Sequence, residues 1–291
     1  MVLRILAGLT ALVLVTGACG RDDDDQASDG QPRVVAAFSP VAWAADQIGG
    51  GAVAVQNLTP AGAEPHDLEL TTGDVDDIED ADLVIVMGHD FQPGVEDAAD
   101  RRSSGTLRLL DHLDVDTDDP HVWLDPIVMG DIVDEIERAL ATVDPPHASE
   151  FAANAAALHA ELDTLDGEYR SGLGDCERDL IVTSHEAFGH LARRYGLEQH
   201  AIAGVDPEQE PNANRIAELA DLVEEHGVTT IFTEELVSPR VAESLAREAG
   251  VQTETLNPLE GLTDDERAAG DDYLSVMRAN LEKLRTALGC R

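Results

Sequence analysis

Basic residues are scarce in this chain of 291 residues, which has 19 Lys and Arg against 59 Asp and Glu and a formal net charge of −40. Without a basic stripe to neutralise phosphates, the sequence argues against nucleic acid as a partner. Aromatic residues make up only 3%, but the abundant Ala, Val and Leu are compatible with a globular core. The acidity indicates a solvated surface or a salty habitat, and it raises the local concentration of cations.

Cysteine is also rare, with three copies. Cys19 follows a basic start, a short apolar run and the small residues Gly17 and Ala18, which is typical of a secretory signal cleaved before an acylated cysteine. Plain secretion with cleavage near the same point is the alternative. The apolar run is too short to favour a permanent transmembrane helix. We therefore expect a signal peptide over residues 1–18 and a lipoprotein anchored through Cys19 on the outer face of the cell membrane.

The residues after the signal and the two remaining cysteines lead to two further predictions. Residues 19–32 are polar and acidic, which predicts a disordered tether. Cys176 and Cys290 form an even remainder, and outside the cytosol such a remainder predicts a disulfide. Two free, buried thiols are the alternative.

Short β-branched runs alternate with amphipathic, Ala-rich stretches, which predicts parallel sheets of the α/β class. The expected strands cover residues 33–38, 52–58, 81–88 and 106–110, then 179–184, 197–203, 228–234 and 251–256. Expected helices between them cover 40–48, 93–101, 186–195, 214–226 and 239–249. A helix over 127–143 and one long helix over 147–173 separate the two sets of strands. We therefore expect an N-terminal lobe over 33–145, a linking helix over 146–173 and a C-terminal lobe over 174–291.

The stretch VTSHEAFGHLARRYG, residues 182–196, lacks the H-E-x-x-H spacing of zinc proteases. Its histidines, His185 and His190, are five residues apart, which on a helix separates them by about 140°. One ion is therefore not expected to be bound by both. Glu186 also lacks the context of a protease general base, so the partners of any metal at His185 must come from elsewhere in the chain.

Three histidines lie in loops next to the predicted strands and the middle helix. His66 and His185 follow predicted strands, and His121 precedes the middle helix. Open α/β sheets bind ligands beyond the carboxyl ends of their strands, and imidazole suits Zn²⁺. His89 is the closest competitor for this role. The remaining histidines are interpreted as surface or hydrogen-bonded residues: His112, His147, His159, His200 and His226.

Six motifs occur in an order that resembles the solute-binding lipoproteins of zinc and manganese ABC importers, the cluster A-I metal-binding family. They are GAEPHDLEL, DPHVWLDP, VTSHEAFGHLARRYGL, GVDPEQEPNANRI, IFTEELVSPR and TLNPLEGLT with the following DDYLSVMRANLEKLRTAL. The resemblance covers nearly all of residues 33–288. It implies two lobes, each a mostly parallel four-stranded sheet flanked by helices, joined by one long rigid helix.

The resemblance also implies a ligand set of His66, His121 and His185 with a carboxylate from the last motif. In this family a histidine at the third position goes with zinc and a glutamate goes with manganese. The usual aspartate of the last motif is replaced by Asn257, and a neutral amide is a poorer ligand for Zn²⁺. The fourth position is therefore open between Asn257, a water that it orients, Glu260 and Glu234, although a hydrogen bond to an imidazole is the role expected of Glu234.

Four carboxylates are expected to orient the imidazoles by accepting a hydrogen bond from the ring nitrogen that faces away from the metal. They are Asp67, Asp125, Glu186 and Glu234. The long His-rich loop of many zinc members is missing, and only DHLDVDTDDP precedes His121.

The expected function is a monomeric extracytoplasmic receptor that captures Zn²⁺ between its lobes and delivers it to the permease of an ABC importer. Such a protein is not an enzyme. One alternative is the same receptor for Mn²⁺ or Fe²⁺. The others are a secreted zinc hydrolase with Glu186 or Glu260 as the general base, and a surface adhesin whose fold is stabilised by a structural metal.

Overall fold

The computed structural model describes residues 30–209 and 211–291. The predicted signal peptide, Cys19 and all but the last residues of the predicted tether lie outside this part of the chain. Among the residues it describes, none of the helices combines the length and the apolar character that a membrane crossing requires.

The first half of the described chain folds around a parallel sheet with the strand order β2-β1-β3-β4. Its central strand, Leu83–Val86, is buried at every residue, as expected for a strand covered by helices on both faces. The elements of this half are β1 (Arg33–Ala36), α1 (Ser39–Gly49), β2 (Ala54–Asn57), α2 (Thr72–Asp80), β3 (Leu83–Val86), α3 (Pro93–Ala99) and β4 (Thr106–Arg108).

The second half repeats this plan with the strand order β6-β5-β7-β8, again parallel. Two helices lie between the halves in the chain, α4 (Pro126–Val143) and α5 (Ala148–Gly172). The elements of the second half are β5 (Leu180–Thr183), α6 (Gly189–Tyr195), β6 (Glu198–Ala201), α7 (Ala213–Glu225), β7 (Thr230–Thr233), α8 (Arg240–Ala249), β8 (Gln252–Thr255), α9 (Asp264–Ala269) and α10 (Tyr273–Leu288).

The predicted α/β class and the predicted strands of both sheets are confirmed in the part of the chain that the structure describes, each strand being shorter than expected. The helix expected from residue 186 begins only at Gly189. Before it, the Glu186 N–H donates to the Gly204 carbonyl at 2.9 Å, so the chain contacts the loop after β6 ahead of the helix.

The 25-residue helix α5 packs against α4, α1 and α10, and so contacts both halves of the fold. It buries Phe151, Leu158, Leu162 and Tyr169. The Tyr169 hydroxyl donates to the Met277 carbonyl of α10 at 2.7 Å. A helix of this length spans about 37 Å, at 1.5 Å per residue, which suits a stiff connection between lobes.

Direct contacts also join the two sheets near their facing edges. The Trp123 indole N–H donates to the Pro258 carbonyl at 2.8 Å, and the Tyr273 hydroxyl donates to the Trp123 carbonyl at 2.6 Å. Trp43 of α1 stacks on Tyr273 with ring centroids 4.8 Å apart. These contacts place the loop before α4 next to the loop after β8 and the start of α10.

The predicted disulfide between Cys176 and Cys290 is present. It joins the segment before β5 to the second residue after α10, 114 residues later. The chain end is held there by hydrogen bonds as well, since the Glu177 and Arg178 N–H groups both donate to the Leu288 carbonyl.

Candidate metal centre

Four side chains from separate loops meet between the two sheets: His66, His121, His185 and Glu260. His66 lies in the loop after β2, His185 directly follows β5, and Glu260 lies in the turn after β8. His121 lies in the loop that leads into α4. The carboxyl ends of parallel strands thus supply three of the four groups, which is where open α/β folds hold their ligands.

One oxygen of Glu260 contacts all three histidines of the group. Its Oε1 atom is 3.2 Å from His66 Nε2, 3.0 Å from His121 Nε2 and 3.2 Å from His185 Nε2. His121 Nε2 and His185 Nε2 are 3.3 Å apart. All three imidazoles therefore present the same ring nitrogen to one point.

The centre is almost closed to solvent. His121 and His185 are 0% exposed and Glu260 is 1% exposed, whereas the His66 side chain retains 11%. Phe91 packs edge-on against the His66 ring with centroids 4.6 Å apart, and Trp123 packs on the His121 ring at 5.2 Å. His66 is therefore the histidine of this group nearest to the solvent, and Phe91 and Trp123 cover the His66 and His121 rings.

Two carboxylates orient the buried imidazoles from behind. Asp119 accepts from the His121 Nδ1–H at 2.8 Å and from the His121 backbone N–H at 3.1 Å. Glu234 accepts from the His185 Nδ1–H at 2.6 Å and from the His185 backbone N–H at 3.0 Å. With Nδ1 protonated in this way, Nε2 of each ring carries the lone pair that a metal needs.

The protonation of the centre follows from these contacts. Burial alone would raise the pKa of Glu260, but the charge of His185 and the hydrogen bonds of the three imidazoles outweigh it and hold that pKa well below its usual value. Burial alone would lower the pKa of His185, but the charges of Glu260 and Glu234 raise it well above its usual value. The centre thus pairs the ionised carboxylate of Glu260 with a His185 imidazole whose protonated form is favoured.

Asn257 and Glu260, the two side chains considered for the fourth position, differ in their contacts. The Asn257 Oδ1 accepts from the Leu259 N–H at 2.7 Å, and its Nδ2 donates to Glu266 at 2.9 Å. Both ends of the Asn257 amide are therefore engaged within the loop, whereas Glu260 contacts the three imidazoles, and this favours Glu260.

Of the four expected orienting carboxylates, only Glu234 contacts a histidine of the centre. Asp125 instead caps α4 through the Ile127 N–H and pairs with Arg194 at 2.7 Å. Asp67 and Glu186 are exposed to solvent. Neighbours in sequence are not neighbours of the imidazole ring here, because the side chains of successive loop residues point in different directions.

Asp119 and Glu64 were not predicted from the sequence. Asp119 lies two residues before His121 in DPHVWLDP, and that proximity was the available signal. Glu64 lies two residues before His66, and burial followed by the charge of Glu260 raises its pKa to about 7. Of the other histidines considered, His89 contacts Asp111 at the surface, and His190 donates to the Asp119 carbonyl at 2.9 Å.

The donor atoms have the spacing of a small tetrahedral cage. A Zn²⁺ ion with nitrogen and oxygen ligands at about 2.0–2.1 Å holds those ligands about 3.3 Å apart. Four of the six donor–donor distances are 3.0, 3.2, 3.2 and 3.3 Å, and every pair lies within 4.8 Å. The second oxygen of Glu260 is buried and has no hydrogen-bond partner among the residues that the structure describes. Three imidazoles and one carboxylate thus fit a tetrahedral borderline-soft cation.

Comparison with known families agrees with this geometry. Residues 34–287 match the family described as "Zinc-uptake complex component A periplasmic". Among curated relatives, the zinc-binding protein AdcA of Streptococcus pyogenes is 39% identical over 89% of this chain and 56% of its own length. The chain thus spans little more than half of that relative. The high-affinity zinc uptake system protein ZnuA of Bacillus subtilis is 33% identical over 96% of each chain.

Solved structures include the Zn(II)-bound ZnuA-like domain of Streptococcus pneumoniae AdcA. It is 37% identical, with a TM-score of 0.77 over 89% of this chain and 99% of that domain. The part of the longer AdcA that this chain resembles is therefore its ZnuA-like domain, and the fold described above is shared over almost all of that domain.

Proposed function

The chain belongs to the family of periplasmic zinc-uptake components, and from that premise we propose that it is a receptor that captures Zn²⁺ and delivers it to the membrane permease of an ABC importer. The observation that carries the proposal is the convergence of three imidazole nitrogens and one carboxylate oxygen at tetrahedral spacing. Zinc is the cargo and no covalent bond is made or broken.

The proposed ligands are His66, His121, His185 and Glu260, with Asp119 and Glu234 orienting two of the rings. Zinc binds between the four donors, and the distances from the Glu260 oxygen to the three ring nitrogens, 3.0–3.2 Å, already suit that arrangement. Because imidazoles bind metal only when Nε2 is unprotonated, zinc capture is expected to weaken at acid pH.

The donor set also supports zinc over the alternative cargoes and functions. Mn²⁺ favours oxygen donors and octahedral sites, whereas three nitrogens with one oxygen suit Zn²⁺. A hydrolytic zinc site keeps one position open for water or substrate, whereas four protein donors fill this tetrahedral cage. We therefore infer a transport receptor and not a hydrolase.

Location and partners complete the proposal. We propose that residues 1–18 are removed, that Cys19 is acylated, that residues 19–32 tether the protein to the outer face of the membrane, and that the receptor acts as a monomer. The lobe boundaries proposed are 33–145 and 174–291, with residues 146–173 as the link.

The test is a calorimetric titration of chelator-stripped protein lacking residues 1–19 with Zn²⁺ and with Mn²⁺. Both titrations are run in about 0.15 M salt, which screens the acidic surface to a range of about 8 Å, and with millimolar Mg²⁺ to occupy non-specific carboxylates. One tight zinc site per chain and weak manganese binding are expected. Absence of zinc binding at micromolar protein, or several equal weak sites, would overturn the proposal.

A milder change addresses the orienting carboxylates. Glu234→Gln keeps one acceptor oxygen for the two N–H groups of His185 and removes the negative charge that makes the ring more basic, so we expect zinc affinity to fall by about 10-fold. Glu248→Gln is the control, because Glu248 lies exposed on α8. Equal zinc affinity in both variants would show that the charge of Glu234 does not tune the centre.

A further inference from the structure

The turn that carries Glu260 contains an unusual backbone conformation. Leu259 has φ of +61° and is 2% exposed. Residues other than Gly, Asn and Asp rarely adopt this left-handed conformation, because their Cβ then lies too close to a backbone carbonyl oxygen. The turn therefore needs contacts that hold Leu259 in this conformation, since a change there would redirect the carboxylate of the next residue.

Asn257 supplies such a contact. Its Oδ1 accepts from the Leu259 N–H at 2.7 Å, which closes a side-chain turn across Pro258. The Trp123 indole N–H donates to the Pro258 carbonyl within the same turn, at 2.8 Å. The segment between β8 and Glu260 is thus held by hydrogen bonds from both sides.

Asn257 is itself fixed by two helices. Asn280 of α10 accepts from the Asn257 N–H at 3.0 Å and donates to the Asn257 carbonyl at 2.6 Å. The Asn257 Nδ2 donates to one oxygen of Glu266, whose other oxygen accepts from the Thr263 N–H at the start of α9. Asn257 is 3% exposed and Asn280 is 0% exposed. This network connects the turn to α9 and α10 rather than to solvent.

The opposite side of the turn is closed by the other lobe. A Cβ added to Gly261 would lie 3.2 Å from the Ala63 carbonyl oxygen, so the turn and the His66 loop are in close contact. The Gly62 N–H donates to the Leu262 carbonyl at 3.1 Å. Glu260 therefore extends from a turn whose position is fixed on both sides.

From these contacts we infer that Asn257 is a positioning residue for metal capture: it holds Leu259 in the left-handed conformation and thereby aims the Glu260 carboxylate at the three imidazoles. The inference rests on the proposed zinc-binding function and extends it to a residue that does not touch the metal. Zinc affinity then depends on the hydrogen-bond acceptor at position 257 and not on a donor atom directed at the ion.

Three variants test the inference by zinc titration, Co²⁺ absorption and urea unfolding. Asn257→Ala removes the acceptor and is expected to lower zinc affinity by about 10–100-fold, the usual effect of removing a group that orients a ligand, and to change the Co²⁺ spectrum. Asn257→Asp keeps an acceptor for the Leu259 N–H and is expected to retain zinc affinity within about 3-fold, although it faces Glu266 with a like charge and loses stability.

Asn212→Ala is the matched control. Asn212 also accepts a backbone N–H, that of Arg215, at the exposed start of α7. Its loss is expected to lower the urea concentration at the unfolding midpoint without changing zinc affinity or the Co²⁺ spectrum. Zinc affinity that falls no more in Asn257→Ala than in Asn212→Ala would overturn the inference. Tighter zinc binding by Asn257→Asp with an altered Co²⁺ spectrum would do so too, because residue 257 would then be a ligand.

A double-variant cycle separates positioning from general damage to the fold. If Asn257 acts through Glu260, Asn257→Ala should have little further effect on zinc affinity once Glu260→Gln is present. Full additivity of the two losses would contradict the inference and leave the zinc receptor intact. Failure of the unaltered protein to bind zinc would overturn both the proposed function and the inference.

Discussion

Replacing Glu260 by alanine is expected to lower zinc affinity by about 10²–10³-fold, because a structural zinc site of four ligands is worth about 10–16 kcal/mol in all and one ligand is removed. Glu260 is the only negatively charged donor of the cage. Without it, the three imidazoles leave one tetrahedral position to water. The measurement is a zinc titration in competition with a chelator of known affinity.

The same variant should alter the metal-free centre. The charge of Glu260 is one of the causes that raise the pKa of His185. Once the carboxylate is gone, burial favours the neutral ring and the pKa of His185 is expected to fall, as NMR titration of the imidazole would show. Protons would then compete less with zinc at neutral pH, which partly offsets the lost ligand.

Glu254→Ala is the control for this change. Glu254 lies on β8, six residues before Glu260, and its side chain is exposed. It removes the same charge from the protein without touching the cage, so its zinc affinity should match that of the unaltered protein. Equal zinc binding by Glu260→Ala and Glu254→Ala would exclude Glu260 from the ligand set.

The positions of the three histidines could be predicted because they depend on topology. A parallel sheet directs the loops after its strands to one edge, and His66 and His185 follow strands whose apolar runs are visible in the sequence. His121 lies in the loop that precedes a strongly amphipathic helix. The five-residue spacing also argued against one ion shared by His185 and His190, and His190 donates to the Asp119 carbonyl instead, at 2.9 Å.

The fourth group could not be chosen from the sequence, because Asn257 and Glu260 are three residues apart in one turn. Which of them faces the cleft depends on the positive φ of Leu259, and a leucine gives no sign of that conformation. The sequence likewise could not show which of Asp119 and Asp125 orients the His121 ring. Both are close to His121 in sequence, but only Asp119 reaches its Nδ1 atom, at 2.8 Å.

Removing the disulfide is the second change expected to have a large effect. In the variant with both Cys176→Ser and Cys290→Ser, we expect the free energy of unfolding to fall by about 2–4 kcal/mol, because the bridge restricts the unfolded chain over a long loop. That loop spans 114 residues in sequence. The backbone hydrogen bonds from Glu177 and Arg178 to Leu288 remain possible in the folded variant.

Urea unfolding of the metal-free protein measures this loss. The reduced unaltered protein should unfold like the double variant, and the slope of the unfolding free energy against urea should be steeper for both than for the oxidised protein, because an unfolded chain without the bridge exposes more surface. Identical stability with and without reductant would contradict the prediction.

Zinc affinity should be almost unchanged by the same double variant. Cys176 precedes β5 and His185 follows it, so a four-residue strand, about 13 Å long, separates the bridge from the metal centre. The bridge and the cage therefore lie at opposite ends of β5, and changes at such distances are usually independent. A zinc affinity that fell along with stability would mean that the C-terminal helix transmits strain to the turn of Glu260, since Asn280 on that helix holds Asn257.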